Sequence, residues 1–255
     1  MNVTYCKGTP EDEQAIVDFA DFIFSKSYCP HDFRSQLPNL YGKGKPTQKY
    51  HYLVKEDGVI RGEVCVLPME YRVGDEILKI NGVGTVSVHP ICKGKGYMKA
   101  LMNWALEDME KEGYAFSVLG GKRQRYEYFG YVPAGSVFRY SIEEDSIRHR
   151  YGGLDASGVS FEKAEKDSSW LRKAWELHQG QKVRIERKEE EFLDLLHSWH
   201  ADAYGIFLDG QWIGYLCLAG SSILEMLFLP ETGSENGEEK RLPQVLKALL
   251  DFAAL

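Results

Sequence analysis

The fold is decided by the stretch Val83-Gly-Thr-Val-Ser-Val-His-Pro-Ile-Cys-Lys-Gly-Lys-Gly-Tyr-Met-Lys-Ala-Leu-Met102. A β-branched run leads into a glycine-rich loop, and the loop opens directly into an amphipathic helix predicted over residues 96–112. Gly94 and Gly96 allow the backbone to turn so that amide N–H groups point into one concavity, where the start of the helix adds partial positive charge. This strand-loop-helix segment predicts a site for a pyrophosphate.

The charges around this loop favour the same interpretation. Lys93, Lys95 and Lys99 surround the glycines, and no Asp or Glu occurs between Glu76 and Glu107. The whole chain carries a formal net charge of -7, so the local excess of lysine is informative. A solvated strand-to-helix turn has the same composition, however, and the Walker pattern is absent because no Gly-Lys-Ser/Thr follows. The loop alone therefore leaves both interpretations open.

Composition excludes several other classes of protein. Apolar residues make up 44% and charged residues 27% of the 255 residues, which is typical of a globular chain with a substantial core. The negative net charge disfavours nucleic acid as a partner and suits a cationic substrate. Five widely spaced cysteines without a Cys-x-x-Cys pair argue against a disulfide framework or structural zinc. No secretory signal or membrane-spanning run is evident, so we expect a cytoplasmic protein without a membrane partner.

A second motif strengthens the case for a coenzyme site. Gly120-Gly-Lys-Arg-Gln-Arg-Tyr-Glu-Tyr-Phe-Gly-Tyr131 follows the strand predicted over Phe116 to Leu119. Together the two segments resemble the GNAT acetyltransferase superfamily, whose signature is a Val-x-Val strand, Arg/Gln-x-x-Gly-x-Gly/Ala at a helix start, and Tyr-x-x-Phe/Leu-Gly-Phe/Tyr. The matching positions are Val86 and Val88, Lys93 to Met98, and Tyr126 to Tyr131. The motifs cover roughly residues 80 to 135.

This resemblance implies direct attack of a primary amine on acetyl-CoA, as co-substrate, without a metal. Tyr126 occupies the family position of the general acid that protonates the departing thiolate, although a packed aromatic in a Tyr/Phe-rich turn is the alternative. The residues that the resemblance implies for coenzyme binding are Val86, Ser87, Val88, Lys93, Gly94, Lys95, Gly96, Tyr97, Met98 and Gly121. Lys122, Arg123 and Arg125 either lie near the phosphates or form a solvated charge run.

Two positions depart from the family pattern. Lys93 replaces the usual Arg or Gln, which keeps the charge but loses the planar fork. Met98 replaces a small residue and is bulky enough to crowd a pyrophosphate. The large residue at Met98, the ending Tyr-x-x-Phe-Gly-Tyr-x-Pro-Ala and a repeated order of elements are similar to the Eis-type branch, whose members carry a second, inactive GNAT-like domain.

The remaining elements predict a mixed fold with two domains. The first half reads as a strand, a helix after Thr9-Pro10, an irregular segment from Ser27 to Lys49, and several strands. These strands are predicted at His51 to Val54, Val59 to Leu67, Glu70 to Val73, Ile77 to Val88, Phe116 to Leu119 and within Val132 to Ile142. A charged, glycine-rich stretch at 146–159 predicts a linker.

The order of elements then starts again over residues 160–255. A strand near Ser160, helices at 168–178 and 187–200, a hairpin across Asp209-Gly210, a strand at 223–229 and a helix at 242–255 are expected. Four glutamates after Pro230 would repel a pyrophosphate, so this half is predicted to be a degenerate copy. We therefore predict an α/β (α+β) fold of two tandem GNAT-like mixed-sheet domains flanked by helices, a catalytic one at 1–145 and a degenerate one at 160–255. The last helix lacks a capping signal, so we expect the natural chain to continue past Leu255.

Several functional questions stay open at the level of sequence. The acceptor class includes small molecules and peptides: aminoglycosides, polyamines, lysine side chains and peptide N-termini. The general base is Glu63, Glu70 or a chain of water molecules, and a homo-oligomer is compatible with the pattern. His197 and His200 have helical i, i+3 spacing, but no neighbouring acid or cysteine completes a metal site. A non-catalytic acyl-CoA-binding sensor and an unrelated anion-binding α/β domain are the competing hypotheses.

Overall fold

The chain folds into two compact units. The computed structural model describes residues 2–27, 29–136, 138–230 and 237–253. The first unit contains residues 1–134 together with 182–186, and the second contains residues 135–181 and 187–255. A mixed sheet in the first unit and an antiparallel sheet in the second, each with helices, confirm the predicted α/β (α+β) class, although the second sheet was predicted to be mixed. The domain boundaries at residues 145 and 160 stay a prediction.

A mixed sheet forms the centre of the first unit, with strand order β1-β2-β3-β4-β5. Its strands are β1 (Val3–Lys7), β2 (His51–Glu56), β3 (Val59–Val73), β4 (Glu76–Val88) and β5 (Phe116–Leu119). Neighbouring strands β1 to β4 are antiparallel, whereas β4 and β5 are parallel, as predicted for a strand-helix-strand crossover. Strand β7 (Val183–Ile185) adds to β3 opposite Tyr71 to Val73.

Helices cover both faces of this sheet. Helix α4 (Tyr97–Lys111) buries Leu101, Met102 and Ala105 against Val64 and Val83 of the sheet. The opposite face is covered by α1 (Glu13–Ser27) and by two short helices, α2 (Phe33–Gln36) and α3 (Pro38–Tyr41). The sequence interpretation had these two short helices inside a single irregular segment. A helical turn, α5 (Arg123–Tyr126), follows β5.

The second unit contains a four-stranded sheet of order β10-β9-β8-β6. These strands are β6 (Val159–Lys163), β8 (Asp202–Leu208), β9 (Gln211–Ala219) and β10 (Ser222–Phe228), and they are antiparallel throughout. Its helices are α6 (Glu144–Tyr151), α7 (Leu171–Gln179), α8 (Phe192–Leu196) and α9 (Gly237–Ala253). The loop predicted between Pro230 and Leu242 is wrong at 237–241, which belong to α9, and its residues 231–236 lie outside the described residues, as do the last two residues of the predicted final helix.

Several element predictions are wrong. No strand forms at 132–136 or 138–142, although Phe138 and Tyr140 alternate as strand residues do; both are largely exposed. Helix α6 occupies part of the predicted linker. The predicted helix 187–200 breaks, because Trp199 has a φ of +60° and His200 of +58°, so the helical spacing expected for His197 and His200 does not exist. The short strand β7 was missed.

Candidate functional site

One edge of β4 loses its pairing strand near the carboxyl end of β4. The parallel ladder between β4 and β5 ends at the pair Val83 and Leu119. The other edge of β4 continues to pair with β3, where Ser87 lies opposite Glu63 and Val88 opposite Gly62. Among the described residues, nothing pairs with 84–88 on the β5 side. Of the predicted coenzyme residues on this strand, Val86 and Val88 therefore present their backbone N–H and C=O groups to an open strand edge, where they can bind an extended ligand, whereas those of Ser87 face Glu63 of β3.

A β-bulge lies at the point where the two strands part. Two residues of β4, Thr85 and Val86, oppose the single residue Val64 of β3. Thr85 has a φ of +44°, a left-handed conformation that is rare for a β-branched residue. Bulges bend a strand and increase its twist, so this one directs the end of β4 away from β5. The sequence interpretation did not identify this bulge.

The glycine-rich loop after β4 presents unused backbone amides. Gly94 has a φ of +86° and Gly96 of +78°, which L-amino acids with side chains rarely adopt. Within the described residues, neither amide donates to a protein acceptor, and no side chain caps the start of α4. A Cβ at either glycine would meet open space, so there is room beside both for a ligand. Amides of the first helical turn, which begins at Tyr97, lack intrahelical acceptors as well.

The lysines of the loop have different surroundings. Lys93 is exposed, whereas the Lys95 ammonium donates to Glu56 Oε1 at 2.5 Å. Tyr97 Oη donates to the same carboxylate oxygen at 2.5 Å, and its ring is buried. Hydrogen bonds from Lys95 and Tyr97 lower the pKa of Glu56 to about 2. Glu56 on β2 thus fastens the loop and the first residue of α4 to the sheet.

Two side chains at the start of α4, those of Met98 and Lys99, make contacts within the protein. Met98 is partly buried and packs against the core beneath α4, so its bulk is accommodated by the protein interior. Lys99 lies 4.9 Å from the ring centroid of Tyr128. All three lysines are exposed, and Lys93 is the one without an ion pair or ring contact among the described residues.

Tyr126 and Gly121 are brought into direct contact. The buried Tyr126 ring belongs to the core cluster under α4, and a Cβ at Gly121 would come within 2.6 Å of its Cε2. The Tyr131 ring lies edge-on to Tyr126, and its hydroxyl group is 2.8 Å from Ser117 Oγ on β5. Ser117 in turn donates to Asn81 of β4 at 2.6 Å. Tyr131 therefore packs against the motif and connects it to the sheet, while Tyr126 lies against Gly121 directly after β5.

Comparison with known proteins identifies the family. The family model for the acetyltransferase (GNAT) domain matches residues 4–134, just over half of the chain. The chain belongs to the GNAT acetyltransferase family.

Solved structures share the fold over nearly the whole chain. A probable N-acyltransferase from Enterococcus faecalis has 14% identity and a TM-score of 0.68, with 97% of this chain and 63% of that chain covered. A GCN5-related N-acetyltransferase from Anabaena variabilis has 17% identity and a TM-score of 0.65, with 99% of this chain and 63% of that chain covered. Another from Kribbella flavida has 14% identity and a TM-score of 0.65, with 97% of this chain and 62% of that chain covered. The chain thus spans less than two thirds of the length of these three proteins. No curated protein matches.

The basic run after β5 is exposed in this GNAT domain. Lys122, Arg123 and Arg125 are all exposed, and Arg123 donates to Glu127 of the next turn at 3.2 Å. Arg123 is therefore partly neutralised by its neighbour. Lys122 and Arg125 stay at the surface, where both predicted roles, phosphate contact and solvated charge, are open to them.

A buried polar cluster in the GNAT sheet was not foreseen. Glu63 and His51 have no exposed surface, and the Nδ1 atom of His51 lies 3.4 Å from Glu63 Oε2. Tyr41 Oη is 3.4 Å from His51 Nε2, and Ser87 Oγ donates to Glu63 Oε1 at 3.4 Å. Sequence reasoning had named Glu63 as a candidate base, but it had no means of pairing it with residues 12 and 22 positions away. The other candidate, Glu70, is exposed.

Burial and close contacts set the protonation of this cluster. Burial raises the pKa of the Glu63 carboxyl. Burial alone would lower the pKa of His51, but contacts with Cys65 and Glu63 outweigh it and raise the pKa to about 10. His51 is therefore protonated near neutral pH, and its contact with Glu63 opposes the effect of burial on the pKa of that carboxyl.

No metal cluster or membrane-crossing helix accompanies the site in the part of the chain that the structure describes. No group of three or more His, Cys, Asp or Glu residues there lies in a metal-binding arrangement. No described helix is both long and apolar enough to span a bilayer.

Proposed function

We propose that the chain transfers an acetyl group from acetyl-CoA to a primary amine. The observation that carries this proposal is the open edge of β4 at Val86 to Val88, which leads directly into a loop with unused amides at Gly94 and Gly96. An extended pantetheine has amides that match a strand edge, and a diphosphate matches a helix start with free N–H groups. The exposed Lys93 adds positive charge at the same loop.

The reaction follows from these positions. The free amine attacks the thioester carbonyl, and backbone N–H groups of β4 stabilise the oxyanion that develops. The C–S bond then breaks, and the CoA thiolate takes a proton from the Tyr126 hydroxyl group. The amine must lose a proton before or during attack, since an alkyl ammonium has a pKa near 10.4.

A non-catalytic acyl-CoA sensor is the second candidate. Tyr126 is buried in the core under α4, which suits a packing residue as well as an acid. Lys93 also replaces the usual Arg or Gln of the family. A sensor binds the coenzyme without releasing free thiol.

Calorimetry and a thiol-release assay test these proposals in order. Acetyl-CoA binding is measured first, followed by thiol release with polyamines, aminoglycosides, lysine peptides and peptides with free N-termini. Absence of binding contradicts both candidates, and binding without thiol release for any amine supports the sensor. For an enzyme, Tyr126→Phe retains binding and lowers turnover by a factor of about ten to a thousand, a typical range for loss of a general acid. The exposed Tyr128 provides the control, Tyr128→Phe, which leaves turnover within about twofold of wild type.

We also propose that the second unit is a degenerate GNAT-like domain of the Eis type. Its support is the repeated order of strands and helices and the acidic composition after Pro230. Mutating residues of the second unit is expected to leave the affinity for CoA unchanged.

A further inference from the structure

A continuous chain of buried polar groups crosses the sheet of the first unit. It runs from Ser87 on β4 through Glu63 on β3 and His51 on β2 to Tyr41 on α3, with each successive contact at 3.4 Å. All four residues are buried, and their exposed fractions range from 0% to 5%. Side chains alternate along a strand, and Val64 packs under α4, so Glu63 points to the opposite face, which α1 to α3 cover.

Such a chain is costly to keep in a protein core. Burying an ionisable pair carries a desolvation penalty that apolar residues of similar volume would avoid. Moreover, His51 Nδ1, Glu63 Oε2 and the hydroxyl oxygen of Thr85 are buried without a well-aligned partner among the described residues. Stability alone does not account for polar groups at these positions. Buried polar groups that are not fully satisfied are typical of sites where protons or ligands are handled.

The two ends of the chain lie at informative places. Ser87 lies on β4 between Val86 and Val88, directly opposite Glu63, and its hydroxyl group also donates to the carbonyl of Thr85 in the bulge. At the other end, Tyr41, which is 5% exposed, is one of the residues that line a small cleft with Glu13, Lys45, Thr47 and Gln48. The chain therefore runs from β4 to a residue beside this cleft.

We propose that Ser87, Glu63, His51 and Tyr41 conduct the proton that the acceptor ammonium loses, so that free amine forms beside β4. This inference rests on the proposed acetyl transfer. It assigns relay roles and leaves direct contact with the thioester to the backbone of β4.

Proton and charge balance along the chain. The ammonium gives a proton to the Ser87 oxygen, while the hydroxyl proton of Ser87 passes to Glu63 Oε1. His51, which is already protonated, releases its Nε2 proton to Tyr41, and the Tyr41 hydroxyl proton leaves toward the cleft. The Glu63 and His51 pair gains one proton and loses one, so its net charge does not change. Rotation of the carboxyl group and a flip of the His51 ring, which turns the free ring nitrogen toward Glu63 to take the carboxyl proton, restore the starting arrangement.

The surrounding ionisable groups are compatible with this role. Cys65 of β3 contacts His51 and Tyr41, and the charge of Asp21 on α1 adds to burial in raising the pKa of Glu63. Burial also raises the pKa of Tyr41, so it transfers protons as a neutral phenol. No neighbouring cation competes with His51 for Glu63 among the groups that influence its pKa.

The pH dependence of kcat/KM tests the relay in the full chain, with the amine that the wild-type protein acetylates fastest. Glu63→Gln is expected to lower kcat/KM about 10- to 100-fold at pH 7.5, a typical contribution of assisted proton transfer. The deficit should shrink to less than about threefold near pH 10, where the amine is largely deprotonated in bulk solution. The KM for acetyl-CoA should not change. The matched control Glu76→Gln removes an exposed carboxylate from the opposite end of β4 and should follow wild type at every pH.

A second variant covers the case in which Glu63→Gln does not fold. Tyr41→Phe removes only the hydroxyl group at the end of the chain, and it should lower kcat/KM about three- to tenfold at pH 7.5 with the same recovery at high pH. A loss that is equal at all pH values, or no loss in either variant, overturns the relay while acetyl transfer by the wild-type protein stands. If the wild-type protein acetylates no amine, the proposed function itself fails, and the relay fails with it.

Discussion

Gly121 lies where the Tyr126 ring leaves no room for a side chain. A Cβ there would come within 2.6 Å of the ring, whereas a Cβ at the neighbouring Gly120 would meet nothing within 4 Å. We expect Gly121→Ala to displace Tyr126 and to lower acetyl transfer at least tenfold, because small displacements of a general acid are costly. Gly120→Ala should leave turnover within about twofold of wild type. Steady-state kinetics of both variants measures this, and equal rates would show that the position of Tyr126 does not matter for turnover.

Glu56 makes the stability of the first unit depend on pH in the acid range. Its pKa falls from 4.5 to about 2 on folding, because Lys95 and Tyr97 donate hydrogen bonds to it. A lowered pKa in the folded state means that the stabilisation is complete above about pH 4.5 and is lost as the pH falls toward 2. The difference in melting temperature between wild type and Glu56→Gln should therefore be constant above pH 5 and shrink below it, in thermal unfolding followed by circular dichroism.

The control for this prediction is Glu110→Gln, which removes an exposed carboxylate from the outer face of α4. Its melting temperature should follow that of wild type at every pH. A difference for Glu56→Gln that persists unchanged down to pH 2 would contradict the assigned hydrogen bonds.

Individual site residues differ in how far the sequence predicts their role. The positive φ angles of Gly94 and Gly96 were predictable, because glycine is the residue that adopts such angles without a steric penalty in a tight turn between a strand and a helix. The engagement of Lys95 with Glu56 was not, since the two residues are 39 positions apart and meet only once the sheet forms. The contact between His51 and Glu63 was not predicted for the same reason.

At the scale of elements, the glycine loop should tolerate only certain side chains. Gly96 precedes α4 with a φ of +78°, where most L-residues cost about 1–2 kcal/mol and Asn costs less. We expect Gly96→Val to weaken CoA binding about tenfold, because a distorted loop no longer aligns its amides, and Gly96→Asn to weaken it less than about threefold. Calorimetric titration with CoA measures both.

Gly113, at the other end of α4 with a φ of +70°, provides the control for the loop. Gly113→Val strains the backbone in the same way but lies after the last helical turn. It should lower stability without a change in CoA affinity. Equal affinity losses at both ends of the helix would mean that strain in α4 as a whole, rather than the loop amides, governs binding.

Elements with strong local signals were predicted and those that depend on distant partners were not. The β2–β3 hairpin and α4 follow from turn residues and apolar periodicity within one short window. The apolar alternation of Phe138 and Tyr140 predicts a strand, but a strand also needs a neighbour, and no described strand pairs there. The bulge at Thr85 depends on the register between β3 and β4, which a single strand does not encode.

At the scale of the whole molecule, the chain returns to the first sheet after it has begun the second unit. Residues 182–186 belong to the first unit, and β7 pairs with Tyr71 to Val73 of β3. Three residues are too few for a strand signal in the sequence, so composition placed this segment with the second half. An ion cluster accompanies the pairing: Arg72 Nε lies 2.5 Å and Arg184 Nη2 lies 2.9 Å from Glu186 Oε1.

This cluster should decide whether β7 stays on the sheet. Burial opposes ionisation of Glu186, but the hydrogen bond from Arg72 and the charge of Arg184 outweigh it and lower the pKa. Glu186→Gln should therefore lower the free energy of local opening by about 1–2 kcal/mol, a typical loss for a hydrogen bond to a charged group. Hydrogen exchange at the backbone amide of Gly74, which donates to the carbonyl of Lys182 in this pairing, should become about 5- to 30-fold faster, while exchange in α4 is unchanged. Glu189→Gln, just beyond β7 and exposed, should leave these rates as in wild type. Unchanged exchange in Glu186→Gln would mean that β7 is held by its main-chain hydrogen bonds alone.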